Sequence, residues 1–138
     1  MRREQSGLAV AIIHHCWRLL SFRGELRLMP DSTGFVWVAM GANFFGGMVE
    51  QLVRGRTWGL AVVTTLAWIV FILVAANRND VFNRRLASAL GLLTMGIQFL
   101  LVLSIWIPGA EWLVAIWSGL AVMHLLSTAN NDRASVWR

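Results

Sequence analysis

The chain has 138 residues; 57% are hydrophobic, 14% are charged, and the formal net charge is +5. An ordinary soluble domain carries about 25% charged residues, and a globule of this length has no interior large enough for so much apolar surface. A soluble enzyme, a nucleic-acid module, a disulfide scaffold and a disordered chain are excluded, which leaves a small polytopic membrane protein. The lone Cys16 rules out an intramolecular disulfide and any cysteine-based zinc site. All twelve basic residues are arginine. Physics does not demand that choice at so many exposed positions. It fits a GC-rich genome, and hence a bacterial inner membrane. No cleavable signal is visible, because the apolar run 8–13 is cut by His14 and His15 and no small-residue cleavage site follows.

Residues 5–22 read as an amphipathic helix lying on the membrane. At about 100° per residue, Leu8, Ile12, Ile13, Cys16, Trp17, Leu19 and Leu20 gather on one side. His14, Arg18 and Ser21 gather on the other, with His15 at the edge. This is the pattern of an interfacial anchor; the competing expectation is a helix packed against the rest of the protein. Residues 23–33 form a polar connector, in which Asp31, Ser32 or Thr33 offers a side-chain acceptor to cap the next helix.

Four apolar blocks follow, with lengths that suit the hydrocarbon core of a bilayer. The expected spans are 34–53, 58–76, 86–107 and 110–129. The first is the least apolar, with Asn43, Glu50 and Gln51. Residues 54–57 are a tight turn, 77–85 a charged loop, Pro108-Gly109 the second turn, and 130–138 a polar tail. The fold class expected is thus an all-α integral membrane protein: an N-terminal interfacial helix, then four transmembrane helices as two antiparallel hairpins.

Orientation follows from counting arginines in the flanks. With the N-terminus inside, Arg2, Arg3, Arg18, Arg23, Arg27, Arg78, Arg84, Arg85, Arg133 and Arg138 lie inside, and only Arg54 and Arg56 outside. Both termini are therefore expected in the cytoplasm. Trp17, Trp37, Trp58, Trp106, Trp112 and Trp137 lie near segment ends or in a flank, where an amphipathic indole suits the headgroup boundary. A faint internal repeat is also visible. The turns Val53-Arg54-Gly55-Arg56-Thr57-Trp58 and Ile107-Pro108-Gly109-Ala110-Glu111-Trp112 both place Trp three residues after Gly, and the hairpins end alike in Ala76-Asn77 and Ala129-Asn130. Two tandem hairpins of the same topology are the simplest reading.

Candidate functional groups are few. Asn43, Gly46, Gly47 and Glu50 fall at i, i+3, i+4 and i+7 and share one face of the first span. A polar group facing lipid is costly, so this face is expected to point into protein. In one reading Glu50 binds a proton or cation. In the other the glycines let a neighbouring helix approach closely, Asn43 hydrogen-bonds across it, and Glu50 pairs with Arg54 four residues on, the favourable order. Gln98, near the middle of the third span, lies at a depth where it can meet Asn43, as an amide pair. His124 lies near the inner end of the fourth span beside Ser127 and Thr128; its functional reading is a haem or metal ligand or a pH sensor, but a bis-histidine haem lacks a second histidine at matching depth inside the bundle. No Ser-His-Asp, Cys-His or paired-carboxylate arrangement and no phosphate-binding glycine loop is evident. No catalytic residue, cofactor or metal is expected.

The function expected is that of a small non-enzymatic membrane subunit or scaffold, associating through its helices with itself or with a larger membrane complex. Its partners are then the lipid bilayer and other membrane chains, not nucleic acid. The alternative is an oligomeric small-solute or ion transporter or channel using Glu50, Asn43 and Gln98. A third possibility is an immunity or lysis-related membrane protein.

Overall fold

The computed structural model describes residues 10, 13–14, 16–18, 21, 26, 29–78 and 81–136. Four helices dominate: α1 (Thr33–Val53), α2 (Trp58–Ala76), α3 (Arg84–Ser104) and α4 (Ala110–Val136). Between α2 and α3 lies a small antiparallel ribbon of β1 (Asn77–Arg78) and β2 (Val81–Phe82), in which Asn77 pairs with Phe82 and Arg78 with Val81. Three helical stretches are long and apolar enough to cross a membrane: Trp58–Ala76, Arg84–Ser104 and Ala110–Asn131. Asn43, Glu50, Gln51 and four glycines dilute the apolar character of α1.

The helix ends are set by local chemistry. Ser32 caps α1, its side chain accepting from the Phe35 N–H at 3.5 Å. At the far end the Gly55 N–H donates to the Leu52 carbonyl (2.9 Å) and the Arg56 N–H to the Gln51 carbonyl (3.0 Å). This paired return is a Schellman motif, and it requires Gly55 at φ +75°, which a side chain would resist. Asn83 caps α3 by accepting from the Leu86 N–H at 3.0 Å. That cap starts the helix at Arg84, two residues before the apolar pattern begins. It closes at Ser104 rather than at Ile107, because Ile105, Trp106 and Ile107 donate to the carbonyls three residues back and tighten into the turn. The expected polar tail is in fact helical as far as Val136.

α3 is the axis of the bundle. It packs on α1 most extensively, then on α4 and α2, while α1 and α2 pair as a hairpin. Its first half is buried on every side, from Leu86 through Thr94. Three helices alone leave one side of that half open, and the N-terminal arm fills it. Leu26 and Met29 are in the core, Cys16 packs against it, the Cys16 thiol donates to the Leu92 carbonyl at 3.5 Å, and Ser88 donates to the Pro30 carbonyl at 3.1 Å. The sequence expectation of an arm wholly on lipid is corrected here. Described arm residues at 10, 13, 14 and 16–18 are helical. Cys16 sits on the bundle, while Val10, Ile13 and Trp17, at i, i+3 and i+7, are exposed together. Leu8, Ile12, His15, Leu19 and Leu20 lie outside the described residues.

α2 and α4 turn only narrow strips inward. The strip on α2 is Ala61, Thr65, Ile72 and Ala76, and that on α4 is Ala121, Val122, Leu125 and Ala129. Their other faces are large and apolar, including Val63, Val70 and Val74 on α2 and Leu113, Ile116, Leu120 and Met123 on α4. The two turns lie at one end of the bundle, where Arg54 and Glu111 touch at 3.2 Å. The ribbon, the Asp31–Arg85 contact (3.6 Å) and the start of α3 lie at the other.

Candidate functional site

The polar face of α1 is covered from within the chain. Its buried residues Val36, Ala39, Met40, Asn43, Gly47, Met48 and Glu50 recur every three or four positions, as one helix face requires. That face lies against α3 along its length. Asn43 is fully buried, and its Nδ2 donates to the Ala39 carbonyl (2.8 Å) and to the Gly91 carbonyl on α3 (2.9 Å). Gly91 allows this approach: a Cβ there would lie 3.1 Å from Met40 Cε and 3.2 Å from Ala39 Cβ.

Gln98 also reaches α1, but in a different way from the expected amide pair. Its Nε2 donates to the Asn43 backbone carbonyl at 3.2 Å. The Asn43 side chain is already engaged with two carbonyls one turn away, so the two amides meet through the backbone. The Gln98 amide occupies the space left by missing side chains: a Cβ at Gly46 would lie 2.5 Å from Gln98 Oε1. A Cβ at Gly47 would lie 2.8 Å from Thr65 Cγ2 and 3.1 Å from Gln98 Nε2. Gly46 and Gly47 thus admit α3 and α2 respectively. Asn43 Oδ1 and Thr65 Oγ1 are buried with no hydrogen-bond partner among the described residues. Beside them Trp68 Nε1 donates to Thr94 Oγ1 at 3.2 Å, and that hydroxyl donates to the Leu90 carbonyl at 2.7 Å.

At the turn end, Arg54 joins three helices. Its Nε pairs with Glu50 Oε1, its Nη1 lies 3.2 Å from Glu111 Oε2, and its Nη2 donates to the Leu101 carbonyl at 3.2 Å. Glu50 also accepts from Gln51 Nε2 at 2.8 Å. The guanidinium therefore sits where α1 and α3 both end, at the negative ends of two helix dipoles. Glu111 lies in the first turn of α4, the end that favours a carboxylate. Glu50 is 8% exposed at its side chain and Arg54 is 22%, so this pair is more enclosed than one open to water.

His124 stands apart from this constellation, exposed on α4. Ser127 Oγ and Thr128 Oγ1 both donate to its backbone carbonyl, at 2.8 and 2.9 Å. Among the described residues no group of three His, Cys, Asp or Glu is placed to hold a metal ion.

Four residues were not singled out from the sequence: Thr65, Glu111 and the connector residues Leu26 and Met29. Thr65 carried a usable signal, as a hydroxyl one turn from Ala61 on the only small strip of an otherwise bulky helix. Glu111 carried another, as a carboxylate in the second turn facing the arginines of the first. The two turn glycines share a positive φ, +75° at Gly55 and +81° at Gly109. Comparison with known proteins yields no matching family model, no similar curated protein and no similar solved structure.

Proposed function

We propose that all four helices cross the bilayer as two antiparallel hairpins with both termini in the cytoplasm. The chain then serves as a non-enzymatic subunit or scaffold of a bacterial inner membrane, assembling with itself or with a larger membrane complex. One observation carries the reading. α1 runs in step with α3 from Gly91 beside Ala39 and Asn43 to Leu101 beside Arg54, so it occupies the same depth as a helix apolar enough to span. Exposed Trp58, Trp106 and Trp112 at the turn end suit a headgroup belt. The candidate polar groups support a structural role, because Asn43, Gln98 and Arg54 each bond another helix.

The face that sequence offered for association is thereby occupied within the chain. Association falls instead to the outer apolar faces of α1, α2 and α4. A cytoplasmic reporter fused after Arg138 should be active, and one inserted in residues 54–57 silent. Co-purification in mild detergent with mass spectrometry should bring partner chains in fixed ratio. A lone, monomeric chain in gentle detergent, or an active cytoplasmic reporter in the 54–57 turn, would overturn this reading.

A second reading, a small-solute or ion pathway, rests on Asn43 Oδ1 and Thr65 Oγ1, two buried oxygens without partners. It would use Asn43, Thr65 and Gln98 in place of Glu50, whose charge is matched by Arg54. Solute or ion flux in vesicles, abolished by Thr65→Val in a normally assembled protein, would favour it.

A further inference from the structure

The ribbon end concentrates charge and exposed apolar surface at matched depths. Arg84 and Arg85 open α3 and are both exposed. Asp31 Oδ2 lies 3.6 Å from Arg85 Nε and is itself 55% exposed at the side chain. On the chain as a whole the imbalance is one-sided. The parts assigned to this side carry ten arginines against Glu4, Glu25, Asp31, Asp80 and Asp132, and the turn side carries Arg54 and Arg56 against Glu50 and Glu111. On the four-span reading the sequence assigns the entire net charge of +5 to the ribbon side.

Directly below these arginines the surface is apolar. Pro30 meets α3 at Ser88 and Cys16 meets it at Leu92. These contacts lie about 6 and 12 Å along the helix from Arg84 at 1.5 Å per residue. The arm thus flanks α3 at acyl-chain depth, with Val10, Ile13 and Trp17 turned outward at 65%, 68% and 69% exposure. Val81 and Phe82 on the ribbon are exposed at the level of the arginines.

We propose that this end is a docking surface for anionic phospholipid. The headgroup phosphate lies at Arg84 and Arg85, and the acyl chains lie along the Val10, Ile13 and Trp17 face. The proposal rests on the four-span reading for the depth of these groups and adds a lipid preference to it. Arginine beside an anionic leaflet is attracted over a short range, by an amount equal to roughly a fivefold gain in affinity for each residue. The field falls off within a Debye length, so it weakens with added salt.

The test uses the full chain in mild detergent, titrated with brominated phosphatidylglycerol or brominated phosphatidylcholine and read as tryptophan quenching. Phosphatidylglycerol should quench at the lower concentration, and the difference should shrink in high salt. Arg84→Gln with Arg85→Gln should weaken phosphatidylglycerol by roughly fivefold per residue and leave phosphatidylcholine unchanged. Arg84→Lys with Arg85→Lys should retain the preference, and Arg56→Gln at the turn end should leave it intact. Equal affinity for the two lipids in the natural chain would overturn the proposal. So would an unchanged preference in the double glutamine variant, or an equal loss in Arg56→Gln. Displacement of the lipid by inorganic phosphate would mark a bare anion site and also overturn it. The reporter insertion in residues 54–57 reads topology separately, so a failure of lipid preference is distinguishable from a failure of the four-span arrangement.

Discussion

Gly47→Ala should destabilise the bundle more than any other glycine-to-alanine change on α1. The new methyl group would lie 2.8 Å from Thr65 Cγ2 and 3.0 Å from Thr65 Oγ1. Thr65 is β-branched with only two χ1 wells open to it in a helix, and both keep two heavy atoms on its Cβ, so the relief falls mainly on α2. Overpacking of this kind costs about 1–3 kcal/mol. Gly46→Ala meets only the flexible end of Gln98, which can swing away for about the 0.6 kcal/mol of an average interhelical polar bond in a membrane. Gly41→Ala meets nothing within 4 Å and should gain up to about 1 kcal/mol of helix propensity. The expected order of stability is therefore Gly41→Ala, then Gly46→Ala, then Gly47→Ala. Thr65→Ala removes both atoms in the clash and should recover most of the Gly47→Ala loss in a double-mutant cycle. Reversible unfolding in mixed detergent micelles, read by circular dichroism, gives these values. A Gly47→Ala protein as stable as Gly41→Ala, or a loss that Thr65→Ala fails to repair, would refute the packing of α2 on that glycine.

Arg54→Gln should cost more than Glu50→Gln, because it leaves an enclosed carboxylate without its cation and frees Glu111 from α1. The expected loss is about 2 kcal/mol, below the 3–5 kcal/mol of a fully buried pair because Arg54 keeps some access to solvent; chemical unfolding of both variants checks the order. Cys16 should label slowly with a water-soluble thiol reagent and faster with a lipid-soluble one. Burial pushes its thiol above the ordinary range, so the rate should climb only as pH rises past that range. The same shift stabilises the fold below the ordinary thiol pKa, and that contribution is lost as pH rises through the raised value. Met29→Ala, in the core, should cost about 2–5 kcal/mol. Ile13→Asp, on the exposed arm face, should instead weaken attachment of the arm to lipid while the unfolding midpoint of the bundle holds; thermal melts beside protease access to the arm separate the two.

Much of the fold was legible because helix periodicity and turn chemistry act locally. The face of Asn43, Gly46, Gly47 and Glu50 followed from spacing alone, and so did the approach of Glu50 to Arg54. Ser32 as a cap and Gly55 as a helix terminator need only their neighbours. What escaped was chosen by tertiary contact. Asn43 and Gln98 were expected to pair as amides, but the Asn43 side chain bonds the Gly91 carbonyl and Gln98 bonds the Asn43 backbone carbonyl, and no one-dimensional pattern encodes that choice of partners. The arm was misjudged for a related reason. Its apolar residues suit lipid and protein equally, and only the open side of α3 between Arg85 and Leu92 selects protein for Cys16. The repeat was legible at its turns, where both glycines need positive φ. It was misleading at its other ends, where Asn77 starts a ribbon and Asn130 continues a helix.

On the proposed four-span arrangement, the cohesion of these helices in lipid has an uneven source. Acyl chains are as apolar as leucine, so apolar side chains gain little by leaving lipid for one another; close packing and interhelical hydrogen bonds must hold the bundle together. In this chain both devices fall mainly on α1. Gly46, Gly47 and Gly91 bring backbones together, and Asn43, Gln98 and Arg54 bond across the gaps. The helix with the weakest apolar signature is therefore the one that fastens α2 and α3, and its polar residues account for both properties at once. On α4 the helical glycine Gly119 meets nothing within 4 Å, so it brings no neighbouring backbone close. The helix is held by Ala121, Val122, Leu125 and Ala129 in its second half and by the exposed Arg54–Glu111 contact at its start. α4 packs chiefly on α3, and its broad apolar face is where the proposed assembly with another membrane chain adds most.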